Sequence, residues 1–402
     1  KIYGEEALIE MRIKLSKDRL DSFSKIQRQY IWILLISFIL YILCTSIFPV
    51  MTSIALKSRF IILPIIILCA CCQHIQKVHI DYMSIFLFGL GTTISAIYSN
   101  HIMNVTVKSL TIILMFFACS IYFSINRINT IKSFFWILKK VSYFILIFNL
   151  LYLIIGKGMF YGVFRGFFSN RNACGAAIVI TFIVLLGSFI QERRMIDLLF
   201  LVLNVYFIFL TESRGTFMGA LIGSGVFLFL ISKNKKRFIG KMACVLILIF
   251  VFWDIISDIP IVARILEEGL ERDELWEYAF ENIRLHPWVG VGFSSSMFEN
   301  QLNVYSGMTY HNSYIAMLAD VGIIGVTLFF IMFIRIGTKI YRNYKNISRE
   351  MRGRFVTILS ICIAFLGLSF GESYLLVAGS PFSFIFWCCI YCLIYSGLPT
   401  GE

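Results

Sequence analysis

The sequence predicts an all-α polytopic membrane protein of about twelve transmembrane helices. Three observations carry that prediction. Of 402 residues, 59% are hydrophobic and 15% charged, with a mean hydropathy of +0.83; soluble domains run at about 45–50% apolar and about 25% charged. The apolar residues gather in runs of about 20, the length that crosses a bilayer as a helix. Lysine and arginine concentrate in alternate loops, following the positive-inside bias. The net charge of +13 therefore reads as membrane orientation and not as nucleic-acid binding, because the basic residues alternate with apolar spans and form no aromatic-basic surface.

The chain divides in order. Residues 1–30, with "EEALIEMRIKLSKDRLDSFSKIQRQY", read as a basic amphipathic helix at the cytoplasmic interface. No leader with a cleavage site precedes it, so no removable signal peptide is expected. Nine spans fill residues 31–257, near 31–48, 58–73, 80–98, 105–123, 134–155, 173–190, 195–211, 215–231 and 240–257; the second is short and carries Pro64. Residues 258–311 form a hydrophilic loop. Residues 312–402 hold three more spans, near 312–334, 354–376 and 380–396, and a tail. With the N-terminus inside, about 24 basic residues fall on the inner side, in segments such as "SKNKKRFIGK" and "RNYKNISREMRGR", and roughly 9 on the outer. Both termini are then cytoplasmic, and the 258–311 loop faces outward.

All eleven cysteines lie in apolar runs. Cys389 and Cys392 have a Cys-x-x-Cys spacing, but within hydrocarbon they read as ordinary core thiols, and no disulfide framework is implied.

The outer basic residues break the orientation rule and are informative for that reason. From residue 158 onward they are Arg165, Arg171, Arg214, Arg264, Arg272 and Arg284, with no lysine among them. The guanidinium fork pairs with phosphate or carboxylate in a way that a lysine cannot, which points to a phosphorylated or acidic ligand. The competing reading is headgroup snorkelling, which lysine would serve equally well.

The outer loop has its own architecture. Asp258 and Pro260 suit a helix start, and Ile265, Arg272, Trp276, Ala279 and Ile283 recur at helical spacing. This predicts a helix lying flat on the membrane mouth, with Arg272 either held by Trp276 one turn on or simply solvated. His286-Pro287 ends the helix, and Gly290-Val-Gly292 makes a turn.

Chemistry-bearing residues gather outward. His311 opens the tenth span, where a neutral imidazole can accept a proton at pH 7, and Asn312 or Ser313 can cap the helix. A histidine beside an interface also serves structural ends. Asp320 lies well inside an apolar span, where an ionisable group needs protein or water around it; we assign it a structural role. Gly322 and Gly325 in "GIIG" read as packing glycines. Glu212 and Arg214 sit at an outer helix junction, and Glu372 near the outer end of the eleventh span. A carboxylate there either orients an imidazole, balances an arginine, or forms an intramembrane salt bridge. No Walker loop, dinucleotide fingerprint, HExxH, serine elbow or outward Asp-x-Asp is present, so no metal and no cofactor are expected.

Four segments together resemble the O-antigen ligase and polymerase family of bacterial envelope glycan enzymes: "FRGFFSNRNACGAAIVI" (164–180), "LTESRGTFMGALIG" (210–223), "RDELWEYAFENIRLHPWVGVG" (272–292) and "YHNSYIAMLADVGIIG" (310–325). The resemblance covers about the last 240 residues, while the first 150 match by hydropathy alone. It implies a GT-C-like membrane glycosyltransferase working without metal at the outer face of the cytoplasmic membrane. Its donor would be an oligosaccharide on undecaprenyl pyrophosphate. Its acceptor would be a lipid-linked repeat unit in a polymerase or lipid A-core in a ligase, with a chain-length regulator as a further partner. Arg214 and Arg272 would bind the pyrophosphate leaving group and His311 would act as general base. Arg165, Asn170 and Arg171 would be secondary donor contacts, and Arg264, Arg284, Glu372 and Asn312 are further candidates for substrate binding. Where the family usually has glutamate this chain has Asp320, a shorter side chain that argues against a direct catalytic role. The short stretch between Arg272 and His311 leaves little to engage a large lipid A-core, which favours a polymerase. The rival class is a transporter or lipid-linked glycan flippase, for which Lys108, Lys139 and Lys140 speak; it predicts internal repeats and ionisable groups at the midplane, and no repeat joins the two halves.

Overall fold

The computed structural model describes residues 32–37, 39, 79–125, 130–252, 273–295 and 310–396. The expected segment 1–30, most of the spans at 31–48 and 58–73, and both Arg264 and Arg272 lie outside the described residues. Among those described, helices α1 (Tyr82–Ile97), α2 (Ile102–Ile125) and α3 (Thr130–Ile154) lead to a hairpin of β1 (Met159–Phe160) and β2 (Val163–Phe164). There follow α4 (Arg171–Glu192), α5 (Met195–Leu210), α6 (Arg214–Ile231), α7 (Lys235–Val251), α8 (Asp273–Leu285), α9 (Ser313–Asn346), α10 (Arg349–Leu368) and α11 (Pro381–Tyr395). Six of these, α2, α3, α4, α6, α9 and α10, are long and apolar enough to cross a membrane, and α1, α5 and α11 are shorter apolar helices. The chain is an all-α polytopic membrane protein in architecture, with the small hairpin as its one described sheet.

Packing explains the order. The α4 helix is central, touching α3, α5, α6 and α10, and small residues let its neighbours close in. A Cβ on Gly175 would fall 1.7 Å from Thr216 Oγ1 on α6, and one on Gly187 would fall 2.2 Å from Thr357 Oγ1 on α10. On the α1–α9 pair a Cβ on Gly91 would lie 3.1 Å from Phe329 and in ordinary contact with Gly325 Cα at 3.5 Å, while a Cβ on Gly325 would meet Val321 of its own helix at 2.5 Å. Phe88 of α1 stacks on Phe329 of α9 and meets Phe116 of α2 and Phe293 edge-on. The lining of α11 is buried almost throughout, including Trp387 and three of the cysteines. Leu199, Val202 and Phe330, by contrast, face outward, as lipid-facing residues do.

The apolar run ending at 376 does not continue as helix. The α10 helix stops at Leu368, capped by Ser369, and residues 369–380 fold into an irregular segment that places Glu372 in a loop and not at a helix end. Leu375 and Leu376 are buried there. Side chains satisfy the backbone: Leu375 C=O accepts from Ser383 Oγ (2.9 Å) and Trp387 Nε1 (2.8 Å), and Tyr374 N–H donates to Ser313 Oγ (3.0 Å). Such satisfaction is what permits non-helical backbone at membrane depth.

The α9 helix extends to Asn346, well beyond 334, and it is broken. Gly322 adopts φ 62°, ψ −172°, so its role is the break itself. The segment after α8 is docked into the gap. Val291 N–H donates to Ala319 C=O (3.0 Å), Gly292 N–H to Asp320 C=O (2.9 Å), Ile323 N–H to Pro287 C=O (2.9 Å) and Ile324 N–H to Trp288 C=O (3.1 Å). Backbone meets backbone so closely that a Cβ on Gly290 would lie 2.4 Å from Asp320 C, and one on Gly322 would lie 2.4 Å from Trp288 C. Asp320 completes the clasp, its Oδ2 accepting from Ser294 N–H (2.9 Å). The structure thus gives Pro287-Trp-Val-Gly-Val-Gly292 and Asp320 one shared purpose.

The lysines that favoured a transporter have partners. Lys108 Nζ donates to Ser294 C=O (2.7 Å) and Oγ (3.0 Å). Lys139 does not snorkel; it is buried between Glu192 Oε2 (2.9 Å) and Asp197 Oδ2 (2.8 Å), tying α3 to the α4–α5 turn. Lys140 lies over the Trp136 ring, 5.6 Å from its centroid. Asp81, also buried, is held by Lys339 (3.0 Å) and Arg335 (3.4 Å) on the extension of α9, which explains why that helix continues.

Candidate active site

The end of the bundle opposite to the Lys139 and Asp81 clusters carries the candidate site. Asn312 caps α9, its Oδ1 accepting from the N–H groups of Tyr314 (2.9 Å) and Ile315 (3.1 Å). His311 therefore precedes the helix and does not start it, in a left-handed conformation with φ 49°. A non-glycine residue there is held against a cost of about 1–2 kcal/mol, so its surroundings must over-determine it. Glu212 at the α5–α6 junction is left-handed too, at φ 46°.

The fold brings His311 and Glu372 together from 61 residues apart, His311 Nδ1 lying 3.0 Å from Glu372 Oε2. The other carboxylate oxygen, Oε1, accepts from Asn172 Nδ2 at 2.6 Å. Asn172 is fixed in turn, its Oδ1 accepting from Ser213 Oγ (3.4 Å) and its C=O from Tyr374 OH (3.1 Å). Ser213 is the N-cap of α6, and the next residue is Arg214. The result is a continuous polar line, His311–Glu372–Asn172–Ser213, spanning the N-terminal ends of α9, α4 and α6. Each of those ends presents the positive pole of a helix dipole, and Arg171 and Arg214 are the first residues of α4 and α6.

An ionised carboxylate only accepts, so its bond to Nδ1 requires the proton on that nitrogen and directs Nε2 to the other side. His311 is 32% exposed at its side chain and Glu372 13%; the imidazole is open to a ligand while its carboxylate is shielded. The imidazole thus stands partly exposed, its Nδ1 fixed by a carboxylate, beside three helix N-termini.

The remaining predicted residues distribute as follows. Asn170 is committed to capping α4 through Ala173 N–H (2.8 Å). Arg165 stacks on Phe160 of the hairpin, 4.2 Å from its centroid, and reaches Ser169 C=O at 3.4 Å. Arg284 is exposed in the last turn of α8, and among the described residues no contact joins it to His311 or Glu372. Trp276 donates its indole N–H to Tyr310 C=O (3.0 Å); the expected contact of its ring with Arg272 lies outside the described residues. Asn172 and Ser213, which the sequence reading passed over, lie inside the quoted "SNRNACG" and "TESRG" stretches; an asparagine in a first helical turn and a serine N-cap look purely local until the fold joins them.

Fold and site thus define a multi-pass helical membrane protein with a histidine–carboxylate pair at one end of its bundle. Residues 199–330 match the family model described as O-antigen ligase, which supports the O-antigen ligase/polymerase family. A comparison with the curated proteins finds no match. The matched segment contains Ser213, Arg214, His311 and Gly322, while Asn172 and Glu372 flank it.

Proposed function

We propose that this protein is a polysaccharide polymerase that joins undecaprenyl-pyrophosphate-linked repeat units at the outer face of the cytoplasmic membrane. The observation that carries this reading is the His311–Glu372–Asn172 line set among arginine-bearing helix N-termini. His311 Nε2 takes the proton of the acceptor sugar hydroxyl as its oxygen attacks the anomeric carbon of the donor. The anomeric C–O bond to pyrophosphate breaks, and the lipid pyrophosphate leaves with the electron pair. Arg214, with Arg272 immediately before α8 in the chain, meets that developing charge. One displacement inverts the anomeric configuration, and no metal is required. Glu372 holds the imidazole in its working tautomer and balances the charge it acquires.

A ligase that moves the glycan to lipid A-core would use the same groups. The short run from Arg272 to His311 favours the smaller acceptor of a polymerase. A transporter gains nothing from Lys139, which is neutralised within a structural cluster. The test is reconstitution of the purified protein with the lipid-linked repeat unit alone, read as a glycan ladder. A ladder that His311→Ala abolishes, with donor binding retained, is the expected result. Transfer only after lipid A-core is added would make the protein a ligase, and passage of the unit across the bilayer without either product would make it a transporter.

A further inference from the structure

The His311 imidazole is held by Glu372, and its chain is held on the downstream side by the Asn312 cap. A third restraint comes from α8, upstream. Tyr310, adjacent to His311, is 1% exposed and is gripped at two points: Trp276 Nε1–H donates to its C=O (3.0 Å) and Asn282 Nδ2 to its OH (3.1 Å). Ala279, fully buried between these two on the same face of α8, packs with Tyr310 and Ala319 in one small cluster. The α8 helix is itself fixed to α9 by the backbone clasp that follows it, so its grip on Tyr310 is referenced to the helix His311 precedes.

We propose that Trp276 and Asn282 are positioning residues for His311: by holding Tyr310 they set the left-handed backbone of the next residue and so the direction of its imidazole. This rests on the reading of His311 as the base. The acidic, aromatic sequence of α8 is then a brace for the site. Its amphipathic pattern, which suits a helix lying on a membrane, is used to cover Tyr310.

The test uses the full-length reconstituted protein with Trp276→Phe, Asn282→Leu and Tyr310→Phe. Trp276→Phe keeps an aromatic ring and removes the donor. A reactive group displaced by about 1 Å loses about a hundredfold, so turnover should fall about ten- to a hundredfold with donor KM unchanged. Asn282→Leu and Tyr310→Phe remove opposite ends of one bond and should each lower turnover, the double variant no further than the worse single. A second readout is independent of turnover: modification of His311 by diethyl pyrocarbonate, followed by mass spectrometry, should change several-fold in Trp276→Phe while His101 in the same molecules reacts as before. Normal turnover and unchanged His311 reactivity, with His311→Ala inactive, would overturn the brace. If His311→Ala is fully active, the base reading has failed instead, and the brace then stands or falls on His311 reactivity alone. Should Trp276→Phe not accumulate, Asn282→Leu carries the same two measurements.

Discussion

Glu372 shows what one carboxylate decides at the residue scale. Its two oxygens meet His311 Nδ1 and Asn172 Nδ2, so a glutamine in its place sets an N–H against one of them and keeps accepting from Nδ1–H only if the Asn172 amide turns over. We expect Glu372→Gln to lower turnover by about a hundredfold or more while donor affinity changes little, because the wrong tautomer is then favoured. Steady-state kinetics on the reconstituted protein checks this, and an unchanged kcat would remove Glu372 from the site. Both partners were visible in the sequence as candidates. Orienting an imidazole was one of three roles open to Glu372, and the sequence did not choose among them, because Glu372 sits in an apolar run that hydropathy extends as helix; periodicity does not separate buried helix from buried irregular backbone. Asn172 was hidden for a different reason, since asparagine in a first helical turn has an adequate local explanation.

At the scale of elements, the break in α9 depends on two glycines facing each other across main chains. Any side chain at Gly322 meets the carbonyl of Trp288 and also has to adopt a left-handed backbone. We expect Gly322→Ala to destabilise the protein by about 2–4 kcal/mol, read as a lower detergent melting temperature, whereas Gly337→Ala on the same helix, where nothing lies within 4 Å, should be neutral. Equal behaviour of the two would dissolve the clasp. The helices from 80 to 251 were legible in outline, because long apolar runs of this kind fold as helices. The clasp was not legible, because its hydrogen bonds join segments about thirty residues apart and use backbone groups that carry no sequence signature.

For the whole molecule, the two ends of the bundle differ in kind. One end is a lock of buried ion pairs, Lys139 with Glu192 and Asp197 and Asp81 with Lys339 and Arg335; the other carries an open imidazole. Lys139→Met would leave Asp197 buried without its cation, at a cost of about 3–5 kcal/mol, and should lower the melting temperature without altering the kinetics of whatever protein remains folded; a changed donor KM would mean that the ends communicate. A glycan transfer run by His311 and arginines should also survive chelation, so activity lost on EDTA and restored by Mg²⁺ would overturn that chemistry. The clasp has a consequence for biogenesis. Four main-chain groups of α9 would enter the bilayer without partners if the 287–292 segment were not already in place, and each such group in hydrocarbon costs several kcal/mol. Because that segment precedes α9 in the chain, the order of synthesis delivers the cap before the helix that needs it. Moving α8 and its clasp to the C-terminus by circular permutation would reverse that order and should stall α9 at the translocon.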